Sequence, residues 1–171
     1  MASSFPEAMN HAGVLFPALE SREVRYSKIY QQHCHRVYSL AFWMTDNELA
    51  ADQLAASTFL RAFAGADLPG IEQIDQAFLA EVRHLTAIGC LTLHSAVSSE
   101  TGSVCGNMKR IHLERAVVQL PATEKLVFLL HDAEGYEHQR IGRLLGLTAD
   151  ESRFGLHQAR LRIRELVARI S

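Results

Sequence analysis

The sequence predicts an all-α protein made of two small helical domains joined by a flexible linker. Three observations carry that expectation. Apolar residues recur at spacings of three and four along most of the chain, the helical period. No run alternates apolar and polar residues as a half-buried strand does. The Ser- and Gly-rich stretch His94–Asn107 has no apolar period and separates an acidic part from a basic one. Before Lys109, six Lys and Arg stand against eleven Asp and Glu, a net of −5; from Lys109 onward, eleven stand against eight, a net of +3. A basic part joined to an acidic part suggests two jobs. At 48% hydrophobic and 21% charged, the chain lies outside the disordered and fibrous classes. Its 171 residues allow two domains of modest size. A domain of about 60 residues buries only about 60% of its unfolded surface, so each gains from a partner.

The elements follow in order. Residues 1–22, beginning MASSFPEAMNHAGVLFPAL, lack a basic start and a long apolar core, so they read as a loose tail rather than a signal peptide. Tyr26, Tyr30, His33, Val37, Leu40 and Met44 form the stripe of a first helix. Thr45–Asn47 interrupts it and offers caps for a second. That second helix carries Ala51, Leu54, Thr58, Phe59 and Ala62, and ends before the Pro69-Gly70 turn. Ile74, Phe78, Val82, Leu85 and Ile88 mark a third. Residues 23–93 thus form one domain, 94–108 the linker and 109–171 a second domain. In the second, Ala116, Val117 and Leu120 share a face before Pro121, and Thr123 is placed to cap a helix burying Leu126, Leu129 and Leu130. Gly135 closes that helix. A short helix with Ile141, Leu144 and Leu145 ends at Gly146. Thr148-Ala-Asp-Glu151 is a capping box for a last helix burying Leu156, Ala159, Ile163, Leu166 and Ile170.

The span Ile141–Leu166 has the spacing of a helix-turn-helix. Ile141 and Leu145 anchor the first helix and Leu156 the second. Gly142 is small where the elements come close, and Gly146 permits a sharp turn. The second helix of such a unit can enter the major groove of DNA.

The residues Leu113–Leu147, with Leu120-Pro121, Glu134-Gly135 and "IGRLLG" in register, resemble region 4 of the extracytoplasmic-function (ECF) sigma factors. "GLHQARLRIREL" (Gly155–Leu166) is similar to the end of that region, and Val37–Phe63 resembles region 2. The resemblance runs from about Tyr26 to Leu166. It implies a transcription initiation factor that binds bacterial RNA polymerase core enzyme through region 2, opens promoter DNA near the −10 element, and reads the −35 element with the helix-turn-helix. It implies no cofactor and no covalent chemistry, a cytoplasmic site of action, and room for an anti-sigma partner.

On that resemblance the core-polymerase contacts map to Asp52, Gln53, Leu54, Ala56 and Phe59, with Ala56 replacing the family's glutamine. In the promoter-melting helix, Leu85, Gly89 and Thr92 stand at the family's asparagine, aspartate and arginine, leaving Arg83 and His84 as nucleic-acid contacts. In the recognition helix, Glu151, Ser152, Arg153, His157, Gln158 and Arg160 are the DNA-facing candidates, and Gly155 and Gln158 replace arginines. Ser152 takes the place of a buried valine. Arg160, Arg162 and Arg164 also read as an ordinary solvated face. These departures keep a second reading open: a sigma-derived regulator that binds a protein partner or polymerase without melting promoters.

Other constellations are thinner. His33-Cys34-His35 point about 100° apart on a helix and cannot share one metal ion. Cys90, His94, Cys105 and His112 are a conceivable zinc set without the spacing of a known finger. The sequence offers no catalytic constellation, so the expectation is no enzyme activity and no metal. No stretch reaches the roughly 18 apolar residues of a membrane helix.

Overall fold

In the computed structural model, residues 21–92 and 110–170 are described; the expected tail up to Glu20 and the linker 94–108 lie outside them. The described residues form seven α-helices and one π turn, and no strand. Helices α1 (Arg22–Thr45), α2 (Glu48–Gly65) and α3 (Ile71–Leu85) pack on one another. Helices α4 (Arg110–Val118), α5 (Ala122–Phe128) and α6 (His138–Leu145) surround the long α7 (Ala149–Ile170).

Local chemistry sets the boundaries. The Ser21 side chain accepts from Val24 N–H and starts α1. Asp46, in the left-handed region at φ 50°, ends it, and Asn47 Oδ1 accepts from Ala50 N–H at 2.9 Å to start α2. The Thr45–Asn47 break therefore works as the sequence implies. The stripe of α1 buries Val37, Leu40 and Ala41. Its outer end is aromatic: Tyr26 stacks on Phe63 at 4.2 Å, and Tyr30 meets Phe59 edge-on at 4.9 Å.

Helix α3 is shorter than its periodicity suggests. It ends at Leu85, where Thr86 turns to extended backbone and donates its N–H to Val82 O. Ile88 therefore lies outside the helix, and Gly89 has φ +97°. Residues 86–92 leave as an arm that reaches the C-terminal half: Gly89 N–H donates to Thr123 Oγ1 at 3.2 Å, and Thr92 N–H to Glu124 Oε1 at 2.6 Å. This also explains Thr123. It is not the cap of α5, a position held by Pro121; it is the second residue of the helix, buried, with its hydroxyl facing the arm.

The helix after Pro121 does not run to Gly135 as a plain α-helix. It widens into a π turn at Leu129–Ala133. Gly135, at φ +70°, then reverses the chain, and Tyr136 N–H returns to Leu130 O. The α6–α7 corner follows the expected design. Both Gly146 and Leu147 N–H bond to Gly142 O, at 2.8 and 2.9 Å. Thr148 N–H donates to Glu151 Oε2 and Glu151 N–H to Thr148 Oγ1, which completes the capping box. Leu156, Ala159, Ile163 and Val167 form the buried stripe of α7. Leu166 is half-buried beside it.

Gly142 is fixed by close approach: a Cβ there would lie 2.5 Å from the Leu147 carbonyl oxygen. That oxygen belongs to the tight turn and cannot give way. Alanine normally favours a helix over glycine. Gly142→Ala is nevertheless expected to destabilise by about 1–3 kcal/mol, the usual penalty of overpacking. A thermal melt followed by circular dichroism checks this, with a fall of several degrees expected and an unchanged or raised midpoint counting against the corner geometry.

Candidate nucleic-acid interface

The first half of α7 carries the surface that the helix-turn-helix corner presents. Arg153 is exposed and ion-paired with Asp150. His157 is exposed and Gln158 half-buried. Arg160 makes a two-pronged contact with Asp132, Nη2 to Oδ1 at 2.7 Å and Nε to Oδ2 at 3.2 Å. Burial pushes the Asp132 carboxyl up, but hydrogen bonds from Arg160 and His131 outweigh it and hold it below the usual carboxylate range. Glu151 is turned into its capping box, and the hydrogen bonds from Thr148 lower its carboxyl.

One candidate on this helix, Ser152, and the departure Gly155 face inward. Ser152 is fully buried, with its hydroxyl 3.0 Å from His138 Nδ1, so it holds the corner by a polar contact where a valine would pack. Gly155 is buried as well, because the Leu91 side chain of the arm lies against it. A Cβ at Gly155 would sit 2.8 Å from Leu91 Cδ2. The reading of the sequence takes Gly155 only as a lost arginine and misses this seat. It also misses Phe154, which is 44% exposed on the outer face between Arg153 and His157.

On α2, Asp52, Gln53 and Ala56 are exposed, whereas Leu54 and Phe59 are buried and support the helix from beneath. Gln53 and Ala56 share an outer row with Leu49 and Leu60, which are 68% and 72% exposed. Leu49 escapes the sequence reading, although the spacing 49, 53, 56, 60 places it on that row. At the end of α3, Arg83 donates to the Leu144 carbonyl at 3.1 Å, near the C-terminal end of α6. His84 lies 3.4 Å from Arg61. Gly89 and Thr92, aligned by resemblance with a melting helix, belong to the arm instead.

A polar cluster joins the two halves. Asp75 on α3 is 4% exposed. Its Oδ1 accepts from Arg36 of α1. Its Oδ2 accepts from the Tyr136 hydroxyl at 2.7 Å and from Arg140 at 2.9 Å. The Arg140 guanidinium lies over the Tyr136 ring, 3.7 Å from its centroid. Arg36 also reaches Glu134 at 3.4 Å. Burial and the bond to Asp75 hold the Tyr136 hydroxyl far above the usual phenol range. The signal for this cluster is present in the sequence: Asp75 falls on the apolar stripe of α3 with Ile74, Phe78, Leu79 and Val82, and a carboxylate there needs donors.

Among the described residues, no group of His, Cys, Asp and Glu is arranged to hold a metal ion. Of the four conceivable zinc ligands, His94 and Cys105 lie outside the described residues. No helix of the described residues is long and apolar enough to cross a membrane.

Comparison with known proteins adds the decisive observation. Residues 110–163, which hold α4 to the middle of α7, match the family model described as Sigma-70, region 4. The ECF RNA polymerase sigma factor SigE of Mycolicibacterium smegmatis is 27% identical over 165 residues, a match spanning 85% of this chain. The C-terminal part of the chain thus matches Sigma-70 region 4, and the chain is similar to an extracytoplasmic-function sigma factor. It spans 63% of the length of that curated relative. Among solved structures, the sigma factor RpoE from Bartonella quintana, crystallised with the anti-sigma factor NepR, shares the fold with a TM-score of 0.59. That match is 16% identical and covers 84% of this chain and 96% of the other.

The capping box gives a pH test of the corner. The Glu151 carboxyl is depressed in the folded state, so its contribution is present above the unfolded carboxylate range and lost as pH falls through the folded value. Glu151→Gln is expected to melt at a lower temperature than the parent at neutral pH, with the difference closing under acid. Parallel melting curves across a pH series check this; a difference that persists unchanged into acid contradicts it.

Proposed function

We propose that the protein is an ECF-type sigma factor that recruits bacterial RNA polymerase core enzyme to promoters and directs transcription initiation. The observation that carries the reading is α7, a helix-turn-helix second helix within a matched region 4, with Arg153, His157 and Arg160 on its exposed side. Arg153 and Arg160 suit phosphate or guanine contact, and His157 and Gln158 base edges or sugar. Ser152 has no part in the reading face, and Glu151 acts as a cap that repels phosphates. On this proposal residues 23–93 are region 2, residues 109–171 are region 4, and the linker 94–108 spans them. The exposed row of α2 with Asp52, Gln53 and Ala56 is the polymerase-facing side, seated on Leu54 and Phe59. The protein works in the cytoplasm without a cofactor and without enzyme activity of its own.

A second reading has one specific observation behind it. The helix proposed to melt DNA stops at Leu85, and the arm beyond it is bonded to the C-terminal half. This favours a sigma-derived regulator that binds polymerase or a protein partner without promoter opening. An anti-sigma partner fits either reading, since RpoE of Bartonella quintana was crystallised with one.

Run-off transcription with purified core polymerase on the DNA upstream of the protein's own reading frame separates the two. Promoter-dependent transcript supports the sigma factor. Core capture without transcript supports the regulator, and no core capture removes the sigma factor and leaves the regulator only its protein partner. On duplex DNA, Arg153→Ala is expected to reduce the slope of log affinity against log salt by about one unit, as for one lost phosphate contact. Asp132→Asn, which releases Arg160 from its carboxylate, is expected to tighten binding; equal or weaker binding would show that Arg160 does not meet DNA.

A further inference from the structure

We propose that the arm 86–92 and the Asp75 cluster form an intramolecular latch, which holds the two halves closed and withdraws groups of both from a nucleic-acid or polymerase partner. The closed state itself stands on geometry; its regulatory consequence rests on the function proposed above.

Three contacts define the latch. Asp75 of α3 binds Tyr136 and Arg140 from the opposite half. Arg83, at the end of α3, caps the C-terminal carbonyls of α6 through Leu144. The arm carries Leu91 onto Gly155 and anchors itself by Gly89 on Thr123 and Thr92 on Glu124. Each contact consumes something. Arg83 is the cation best placed on α3 for DNA, and its guanidinium is turned to a carbonyl. Gly155 lies on the helix proposed to read DNA, and the absence of a side chain there is what admits Leu91. An arginine at 155 could not coexist with Leu91 in this position.

The latch is built to open. Arg36 and Asp75 both belong to the N-terminal half, so Asp75 keeps one cation when the halves part. Tyr136 and Arg140 both belong to the C-terminal half and stay stacked on each other. Separation therefore exposes the carboxylate to water with a partner still beside it, and avoids the penalty of an orphaned buried charge. The charges also suit closure, with −5 before Lys109 and +3 after it.

The test uses the full chain and three variants. Gly155→Arg removes the seat of Leu91 and raises the helix propensity of α7, with Val127 Cγ2 3.6 Å from the new Cβ. Leu91→Ser removes the plug without adding charge to α7. Arg140→Gln weakens the Asp75 contact from the far side. Small-angle X-ray scattering is expected to give a closed parent, and a radius of gyration larger by several ångströms in Gly155→Arg and Leu91→Ser, with helix content by circular dichroism undiminished. A parent already extended, or variants with the parent's scattering curve, overturns the latch. Binding to a random-sequence DNA duplex then reads the consequence in Leu91→Ser and Arg140→Gln, neither of which adds a cation. Tighter binding than the parent is expected. Opened variants that bind no tighter overturn the proposed withdrawal of groups from DNA. If no form binds duplex at all, the proposed function fails, while the scattering still decides the latch.

Discussion

A buried carboxylate organises the relation between the two halves. Asp75 sits on the apolar stripe of α3, where an unpaired charge would cost far more than any neighbouring contact returns. No single element supplies enough donors. Arg36 comes from α1, Tyr136 from the chain just past the π turn, and Arg140 from α6. The hydroxyl of Tyr136 can reach Oδ2 only if the chain reverses at Gly135, and that reversal follows the widened turn Leu129–Ala133. The local irregularities of the C-terminal half thus have a common cause: they aim two donors at one acid in the other half.

The arm beyond Leu85 obeys the same logic at a second point. Its backbone N–H groups need acceptors once the helix has ended. Two of them find Thr123 and Glu124, both buried on α5, a helix whose start is fixed by Pro121. Gly89 takes a left-handed turn there, and a side chain would meet the Leu145 carbonyl at 2.9 Å. Two glycines therefore make the crossing possible, one in the arm and one in the helix it crosses. Both stand where the family resemblance leads one to expect a polar functional residue.

Most of the fold was legible in the sequence because its signals are local. Apolar periods of three and four, the Asn47 cap, the Gly142–Gly146 turn and the Thr148–Glu151 box each depend on residues within a few positions, and each appears as expected. The failures involve distant contacts. Ile88 continues the apolar period of α3, yet it lies in the arm, because tertiary hydrogen bonds to α5 outweigh the pattern. Thr123 has the chemistry of a cap, but its hydroxyl serves Gly89. Ser152 was counted among the DNA-facing residues although it takes the place of a buried valine, and it is core. Gly155 was read as a loss, since nothing near it in sequence announces Leu91. Asp75, an acid on a buried stripe, carried a signal in the sequence that was passed over.

The same contacts bear on how α7 could recognise DNA. Arg153 and Arg160, the exposed arginines of its first half, are not free cations. Arg153 is held by Asp150 and Arg160 by Asp132. A phosphate arriving at either must displace a carboxylate of the chain itself. The exchange replaces one charge-assisted contact with another, so the net gain per phosphate is smaller than for an unpaired arginine. Such a surface binds random duplex weakly. It favours sites where base contacts by His157, Gln158 or Phe154 add to the exchange, because among the described residues no carboxylate holds those side chains. On the proposed reading, the acids beside the arginines lower background binding and leave discrimination to the bases, and the thin reading face of α7 becomes a means of selectivity rather than a defect.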